Sequence, residues 1–148
     1  MTHLHNDFKE FLELLNEKEV RYVIVGAHAL ALHGLPRNTQ DIDVFVSDDA
    51  QNISLVLEVL ESFGFGGMHT ADDFTAFGVR LGTPPVCIDL LVKIDSVGFE
   101  EAEATAEHRV LDGIPVNIIN RELLIRNKRG AGRPKDLADV YTLEQTGK

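Results

Sequence analysis

One stretch of the sequence, Tyr22–Val46, constrains the fold more than any other. It begins with the β-branched run Tyr22–Val25, which predicts a buried strand. Gly26 ends this strand, and the Ala- and Leu-rich segment after it predicts a helix up to Gly34. A proline-containing loop follows, and a second strand begins at Asp41 or one residue before it. The stretch therefore predicts a strand–helix–strand unit.

Two carboxylates stand at the start of the second strand. Asp41 and Asp43 are two residues apart, so their side chains project from the same face of the strand. Neighbouring carboxylates repel each other and raise at least one pKa. A divalent cation such as Mg²⁺, which prefers oxygen ligands, is one explanation for the pair. The alternative is that both side chains simply face water on an edge strand.

This combination resembles the nucleotidyltransferase fold of the DNA polymerase beta superfamily. In that family a strand ends in a Gly-Gly or Gly-Ser turn, a helix follows, and the next strand carries Asp-x-Asp. Gly26 matches the first turn position, and Asp41 and Asp43 match the carboxylate pair, whereas Ala27 departs from the second turn position. The resemblance implies an α+β fold with a mixed central sheet flanked by helices.

A longer pattern narrows the resemblance further. It adds His33-Gly34 and Arg37-x-Thr39 to the turn and the carboxylate pair. In this form it looks most like small bacterial nucleotidyltransferase-like proteins related to abortive-infection toxins. The similarity is strong over residues 20–46 and looser elsewhere.

The resemblance implies a third carboxylate on a strand next to the Asp-x-Asp strand. Asp89 interrupts the apolar run Val86–Val92, where a carboxylate must be paired, exposed at an edge or bound to a cation. It is therefore the candidate, and Asp95, past the end of the strand, is the fallback. The family pattern implies that Asp41 and Asp43 hold a metal bound to the nucleotide, Mg²⁺ or Mn²⁺. Asp89 would join them at a second metal, or act as general base.

Nucleotide-binding residues follow from the same resemblance. It places the turn at Gly26 and Ala27 against the nucleotide phosphates. Arg37 and Thr39 lie just before the carboxylate strand, where a guanidinium and a hydroxyl suit a phosphate. The alternative for Arg37 is an ion pair with Asp41 or Asp43 that only steadies the loop.

Basic residues are concentrated near the C-terminus. Lys128 and Lys135 are the candidates for phosphate contacts, and Lys135 belongs to a segment, Arg133–Asp139, that is similar to one in the resembled proteins. The alternative is a solvated basic rim. His28 and His33 are five residues apart and do not share a helical face. We interpret both as packing or capping residues rather than catalytic ones.

The rest of the chain predicts further helices, strands and turns. Periodicity and turn residues predict helices at 5–18, 49–63, 99–106 and 121–129, the last closed by Gly130, and a final helix from Pro134 with Leu137, Val140 and Leu143 inward. They also predict strands at 74–81 and 86–92 and a hairpin about Asp112-Gly113.

Length and composition set broader limits. The 148 residues predict a single nucleotidyltransferase-like domain over residues 1–148. The formal charge of -10 argues against broad DNA binding, and no apolar run approaches the ~20 residues that a membrane span needs. The single cysteine and the absence of a signal-peptide pattern predict a cytoplasmic protein.

These features predict an enzyme that transfers a nucleoside monophosphate from a nucleoside triphosphate (NTP) to a hydroxyl acceptor and releases pyrophosphate. The acceptor class, whether protein, tRNA or small molecule, stays open. One alternative is an inactive nucleotide-binding or protein-partner module of the same fold. Another is a subunit that needs a protein partner, as in two-component toxin–antitoxin systems.

Overall fold

The structure, a computed structural model, describes residues 4–37, 41–74, 78–82 and 86–146. Its centre is one mixed sheet of six strands in the spatial order β3-β4-β2-β1-β6-β5. The strands are β1 Tyr22–Val25, β2 Asp41–Val46, β3 Gly78–Leu81, β4 Cys87–Leu91, β5 Glu107–Leu111 and β6 Ile114–Ile118. The helices are α1 Asn6–Glu17, α2 Gly26–Leu32, α3 Ala50–Leu60, α4 Phe99–Ala104, α5 Arg121–Ala131 and α6 Pro134–Thr146.

The predicted strand–helix–strand unit forms the centre of the sheet. Strand β1 pairs antiparallel with β2, and the two are joined through α2. Strand β2 also pairs with β4, in parallel, so that both of its edges are hydrogen-bonded. All four residues of β1 are buried. These central strands are therefore the most constrained part of the sheet and fix the positions of the side chains they carry.

Apolar faces of the helices close the core around this sheet. Helix α1 contributes the buried side chains Phe8, Phe11, Leu12 and Leu15, as its helical periodicity predicts. It contacts α3 and β6, whereas α5 and α6 pack against each other. Among the described residues, no helix is long and apolar enough to span a membrane.

Two helix details differ from the sequence prediction. Helix α5 runs through Gly130 and ends at Ala131, and Gly132 is the left-handed residue that closes it, with φ 68°. A Cβ at Gly130 would overlap the side chain of Ser96, so this glycine serves close packing rather than helix termination. Leu137 was predicted to face inward, but it is 50% exposed.

Strand β3 is also shorter than predicted. It begins at Gly78 rather than at residue 74, and Ala71–Phe74 form a 3₁₀ turn instead. Residues 75–77 lie outside the described part of the chain. The hairpin about Asp112-Gly113 is confirmed, with β5 and β6 on either side of it.

Candidate active site

The strand register places three charged side chains in one row. Asp43 on β2 is paired with Asp89 on β4, and Asp89 is paired with Arg80 on β3. Directly paired residues on neighbouring strands project from the same face, about 5 Å apart. Asp89, the predicted third carboxylate, therefore lies beside Asp43 and on its side of the sheet. Asp41 shares that face because it is two residues from Asp43.

The Asp43 carboxyl has an unusual protonation equilibrium. Its pKa rises from 3.8 to about 7, first because the group is buried and then because it lies against the charge of Asp89. The protonated Asp43 donates a hydrogen bond to Asp89, which raises the pKa further, and the charge of Asp41 adds to the effect. The pair therefore holds one proton up to about neutral pH.

Arg80 compensates the remaining negative charge, and the sequence analysis did not identify it. Its Nε lies 2.7 Å from Oδ1 of Asp89 and its Nη2 lies 3.0 Å from Oδ2, a bidentate pair. Its Nη2 is also 3.8 Å from Oδ2 of Asp41. The sequence left Asp89 three possibilities: a paired carboxylate, an exposed edge position or a bound cation. The structure shows a paired carboxylate.

Gly26 at the start of α2 lies against the same carboxylates. Its φ is +69°, a conformation that favours glycine, and a Cβ at this position would overlap the Asp43 carboxylate. The glycine that the sequence analysis assigned to phosphate binding therefore has a second role: it leaves room for Asp43.

A cleft of about 550 Å³ opens beside Asp43. The residues predicted to bind nucleotide, apart from Thr39, all line it together with Asp43: Gly26, Ala27, Arg37, Lys128 and Lys135. Thr39 lies outside the described residues. Asp41 and Asp89 are not among the described residues that line the cleft. Lys93 and Arg133 line it as well, although the sequence analysis did not assign them a role.

Two buried carboxylates line this cleft and hold several of its cations. Asp136 is fully buried and Asp139 is 5% exposed. Nζ of Lys128 lies 3.3 Å from Asp136 and 3.4 Å from Asp139. Arg133 also binds Asp136, with Nε 2.6 Å from Oδ2, and Arg37 donates to Asp139. The hydrogen bond from Arg133 is the main cause that lowers the pKa of Asp136.

The cleft therefore contains two kinds of cation. Arg37, Lys128 and Arg133 are held by the buried carboxylates, and Arg37 pairs with Asp139 rather than with the carboxylates of β2. Lys93 and Lys135 make no hydrogen bond or ion pair with any residue that the structure describes. These two lysines are the cations available to a ligand.

His28 in α2 and His33, the residue that follows α2, have packing or hydrogen-bonding surroundings. His28 is 7% exposed, packs edge to face on Phe8, and has a pKa lowered mainly by burial. Nε2 of His33 lies 2.7 Å from the carbonyl oxygen of Ile119. Neither is among the described residues that line the cleft.

We call Asp41, Asp43 and Asp89 the acidic row. Their carboxylates provide the oxygen donors that a hard divalent cation prefers. Within residues 4–37, 41–74, 78–82 and 86–146, no group of three or more His, Cys, Asp or Glu side chains is arranged to hold a metal ion. The carboxylates of Asp41 and Asp43, which share one face of β2, nevertheless form an oxygen donor pair that suits Mg²⁺ or Mn²⁺. These residues fit such a cation.

The chain is similar to known proteins over nearly its whole length. A family model described as "nucleotidyl transferase of unknown function" matches residues 4–147. No curated protein sequence matches the chain.

Solved structures share the fold at low sequence identity. ANT(2″)-Ia in complex with adenylyl-2″-tobramycin is 17% identical with a TM-score of 0.62, over 95% of this chain and 86% of that one. The lincosamide antibiotic adenylyltransferase LnuA, lincomycin-bound, is 13% identical with a TM-score of 0.58, over 99% of both chains. A nucleotidyltransferase-like protein from Paracoccidioides brasiliensis is 15% identical with a TM-score of 0.54, over 93% and 74%.

Replacing Gly26 tests its close approach to Asp43. Gly26→Ala should lower the free energy of unfolding more than Gly34→Ala, by roughly 1–3 kcal/mol. Both glycines have positive φ, so both substitutions carry backbone strain of roughly 1–2 kcal/mol. Only Gly26 has a carboxylate where the methyl group would go, since Gly34 has nothing within 4 Å. Urea denaturation measures both, and equal losses would contradict the close approach.

The raised pKa of Asp43 predicts how stability depends on pH in buffer with EDTA. The folded state binds this proton more tightly than the unfolded chain, so the stability it gives is fully present below pH 3.8 and is lost as the pH rises through about 7. Between about pH 5 and about pH 8, wild type should therefore lose roughly 3 kcal/mol relative to Asp43→Asn.

The free energies of unfolding are measured by urea denaturation at both pH values. Glu13→Gln, on the exposed face of α1, controls for the loss of one negative charge and should differ from wild type equally at both. If the difference in unfolding free energy between wild type and Asp43→Asn is the same at both pH values, as expected for the control, the pKa of Asp43 is not raised.

Proposed function

The chain belongs to a family of nucleotidyl transferases, and on that premise we propose that it transfers a nucleoside monophosphate from an NTP to a hydroxyl group and releases pyrophosphate. One observation carries the proposal. Asp43, whose neighbour on β4 is Asp89, lines a cleft that is also lined by Lys93 and Lys135, two lysines without a partner among the described residues. The carboxylates suit a cation and a hydroxyl nucleophile, whereas phosphates suit the basic wall, defined as Arg37, Lys93, Lys128, Arg133 and Lys135.

The carboxylates of Asp41 and Asp43 would hold a divalent cation, Mg²⁺ or Mn²⁺, whereas both oxygens of Asp89 are engaged by Arg80. Such a cation, when bound, supplies positive charge that stabilises the phosphoryl oxygens and the pyrophosphate leaving group. The proton on Asp43 must be absent for this carboxylate to act as a ligand. Because the pKa of Asp43 is about 7 without a cation, binding of the cation should release this proton and should weaken as the pH falls below neutral.

The basic wall of the cleft has two roles in this proposal. Lys93 and Lys135 contact the phosphates, because their ammonium groups have no partner among the described residues. Lys128 and Arg37 line the same cleft but are held by Asp136 and Asp139, so they add a fixed positive potential and further phosphate contacts. The turn at Gly26 and Ala27 adds backbone N–H donors, and Thr39 stays a prediction.

Asp89 is the group that we assign to the acceptor. The acceptor oxygen forms a bond to the α-phosphorus, the bond from that phosphorus to the pyrophosphate oxygen breaks, and the hydroxyl proton passes to Asp89. Arg80 grips both oxygens of Asp89 and keeps the carboxylate in one orientation. The chain itself thus supplies the base and its support.

The acceptor classes to test are protein, tRNA and small molecule. Two of the structures with this fold contain antibiotics: adenylyl-2″-tobramycin in ANT(2″)-Ia and lincomycin in LnuA. A hydroxylated small molecule is therefore one arm of the screen. Protein and tRNA from cell extract are the others, with or without a co-purified protein partner.

Loss of one carboxylate should abolish transfer. The assay supplies each of the four NTPs, labelled at the α-phosphate, with Mg²⁺ or Mn²⁺ and the three acceptor classes, and measures labelled product and pyrophosphate. We expect transfer by wild type and at least a 100-fold loss in Asp43→Asn, on the order of one essential catalytic group.

Asp7→Asn, on α1, serves as the matched control and should keep wild-type activity. Circular dichroism of both variants checks the fold. Undiminished transfer by Asp43→Asn would contradict the assignment of this carboxylate. Absence of transfer by wild type to every acceptor would contradict the proposed activity.

Removal of either unpaired lysine should weaken nucleotide binding. Lys93→Ala and Lys135→Ala should each raise the KM for the NTP about tenfold, the value of one charge-assisted contact. Lys18→Ala removes a lysine that pairs with Glu58 outside the cleft and is the control. Unchanged KM values in both cleft variants would show that the phosphates bind elsewhere.

A further inference from the structure

Arg80 has a position that the proposed reaction does not by itself require. It lies on the edge strand β3, next to β4, and its side chain extends toward Asp89 and Asp41. We propose that Arg80 takes the place beside Asp89 that a second divalent cation would take, so that the active site works with one divalent cation instead of two. This inference rests on the proposed nucleotidyl transfer and specifies its cation requirement.

The contacts of Arg80 use the same atoms that a second cation would need. Its Nε and Nη2 bind the two oxygens of Asp89 at 2.7 and 3.0 Å, and Nη2 approaches Asp41 at 3.8 Å. Asp89 is 15% exposed on its side chain, so few other directions of approach are open. The guanidinium thus contacts Asp89 from β3, whereas Asp43 lies on β2, the neighbour of β4 on its other side.

The backbone holds this arrangement in place. Arg80 and Asp89 are directly paired in the antiparallel β3–β4 ladder, and Asp89 and Asp43 are directly paired in the parallel β4–β2 ladder. A cation between Asp43 and Asp41 leaves this register untouched. A second one at Asp89 would have to displace a bidentate arginine, which is a strong ion pair.

Arg80 is a positioning residue in this account, since it acts through Asp89. It is always charged, so it orients the carboxylate at any pH at which the enzyme works.

The number of bound cations tests the inference. Equilibrium dialysis with Mn²⁺ and an equal mixture of the α,β-methylene analogues of ATP, GTP, CTP and UTP counts the Mn²⁺ ions held per bound nucleotide. We expect one in wild type and two in Arg80→Gln. Arg80→Lys retains the positive charge and should return the count to one.

Arg126→Gln is the matched control. Arg126 makes an equally short bidentate pair, with Glu101 at 2.8 and 2.7 Å, and its side chain is 44% exposed against 54% for Arg80. It does not touch the acidic row, so its count should remain one. Circular dichroism melting checks that each variant is folded.

Three results would overturn the inference, and they differ in what else they affect. Two ions per nucleotide in wild type would overturn it while leaving nucleotidyl transfer intact, and this result does not depend on any variant folding. One ion in Arg80→Gln would show that the arginine does not exclude the second. No Mn²⁺ and no nucleotide bound by wild type would contradict the proposed function itself.

Discussion

The close approach of two carboxylates, Asp43 and Asp89, is the constraint on which the rest of the site depends. They are adjacent because β2 and β4 pair in parallel with these residues opposite each other. Like charges at this distance repel, so the surroundings must compensate. The repulsion is relieved by a proton on Asp43 up to about pH 7 and by the bidentate contact from Arg80 to Asp89. Gly26 leaves the space that the Asp43 carboxyl group occupies.

The basic wall shows the opposite arrangement, in which buried carboxylates hold cations. Asp136 and Asp139 fix Lys128 and neighbouring arginines at the cleft, although the chain as a whole carries a net charge of -10. Lys93 and Lys135 have no partner among the described residues. The cleft thus combines a carboxylate that suits a cation, Asp43, with two lysines that suit phosphates. An NTP with a divalent cation carries both kinds of charge.

Local patterns in the sequence predict the centre of the sheet and its acidic row, and long-range register explains what they miss. Asp43 was identified because it shares one face of a strand with Asp41 in a pattern that resembles a known family. Asp89 was identified because it interrupts an apolar run where that family has a third carboxylate. Arg80 was missed because its contact with Asp89 depends on how β3 pairs with β4, and no local sequence pattern specifies that pairing. Lys93 was missed because it lies two residues beyond the end of β4, where strand alternation no longer fixes the direction of a side chain. Gly130 was taken for a helix end because its packing against Ser96, far away in the sequence, cannot be read locally.

The central claim is that the acidic row and the basic wall are two sides of one nucleotide site. Anomalous diffraction from crystals grown with Mn²⁺ and a non-hydrolysable NTP analogue tests it most directly. The account predicts an Mn²⁺ peak at the carboxylates of Asp41 and Asp43, with the triphosphate extending toward Lys93 and Lys135. A nucleotide bound outside this cleft, or Mn²⁺ bound away from these carboxylates, would contradict it.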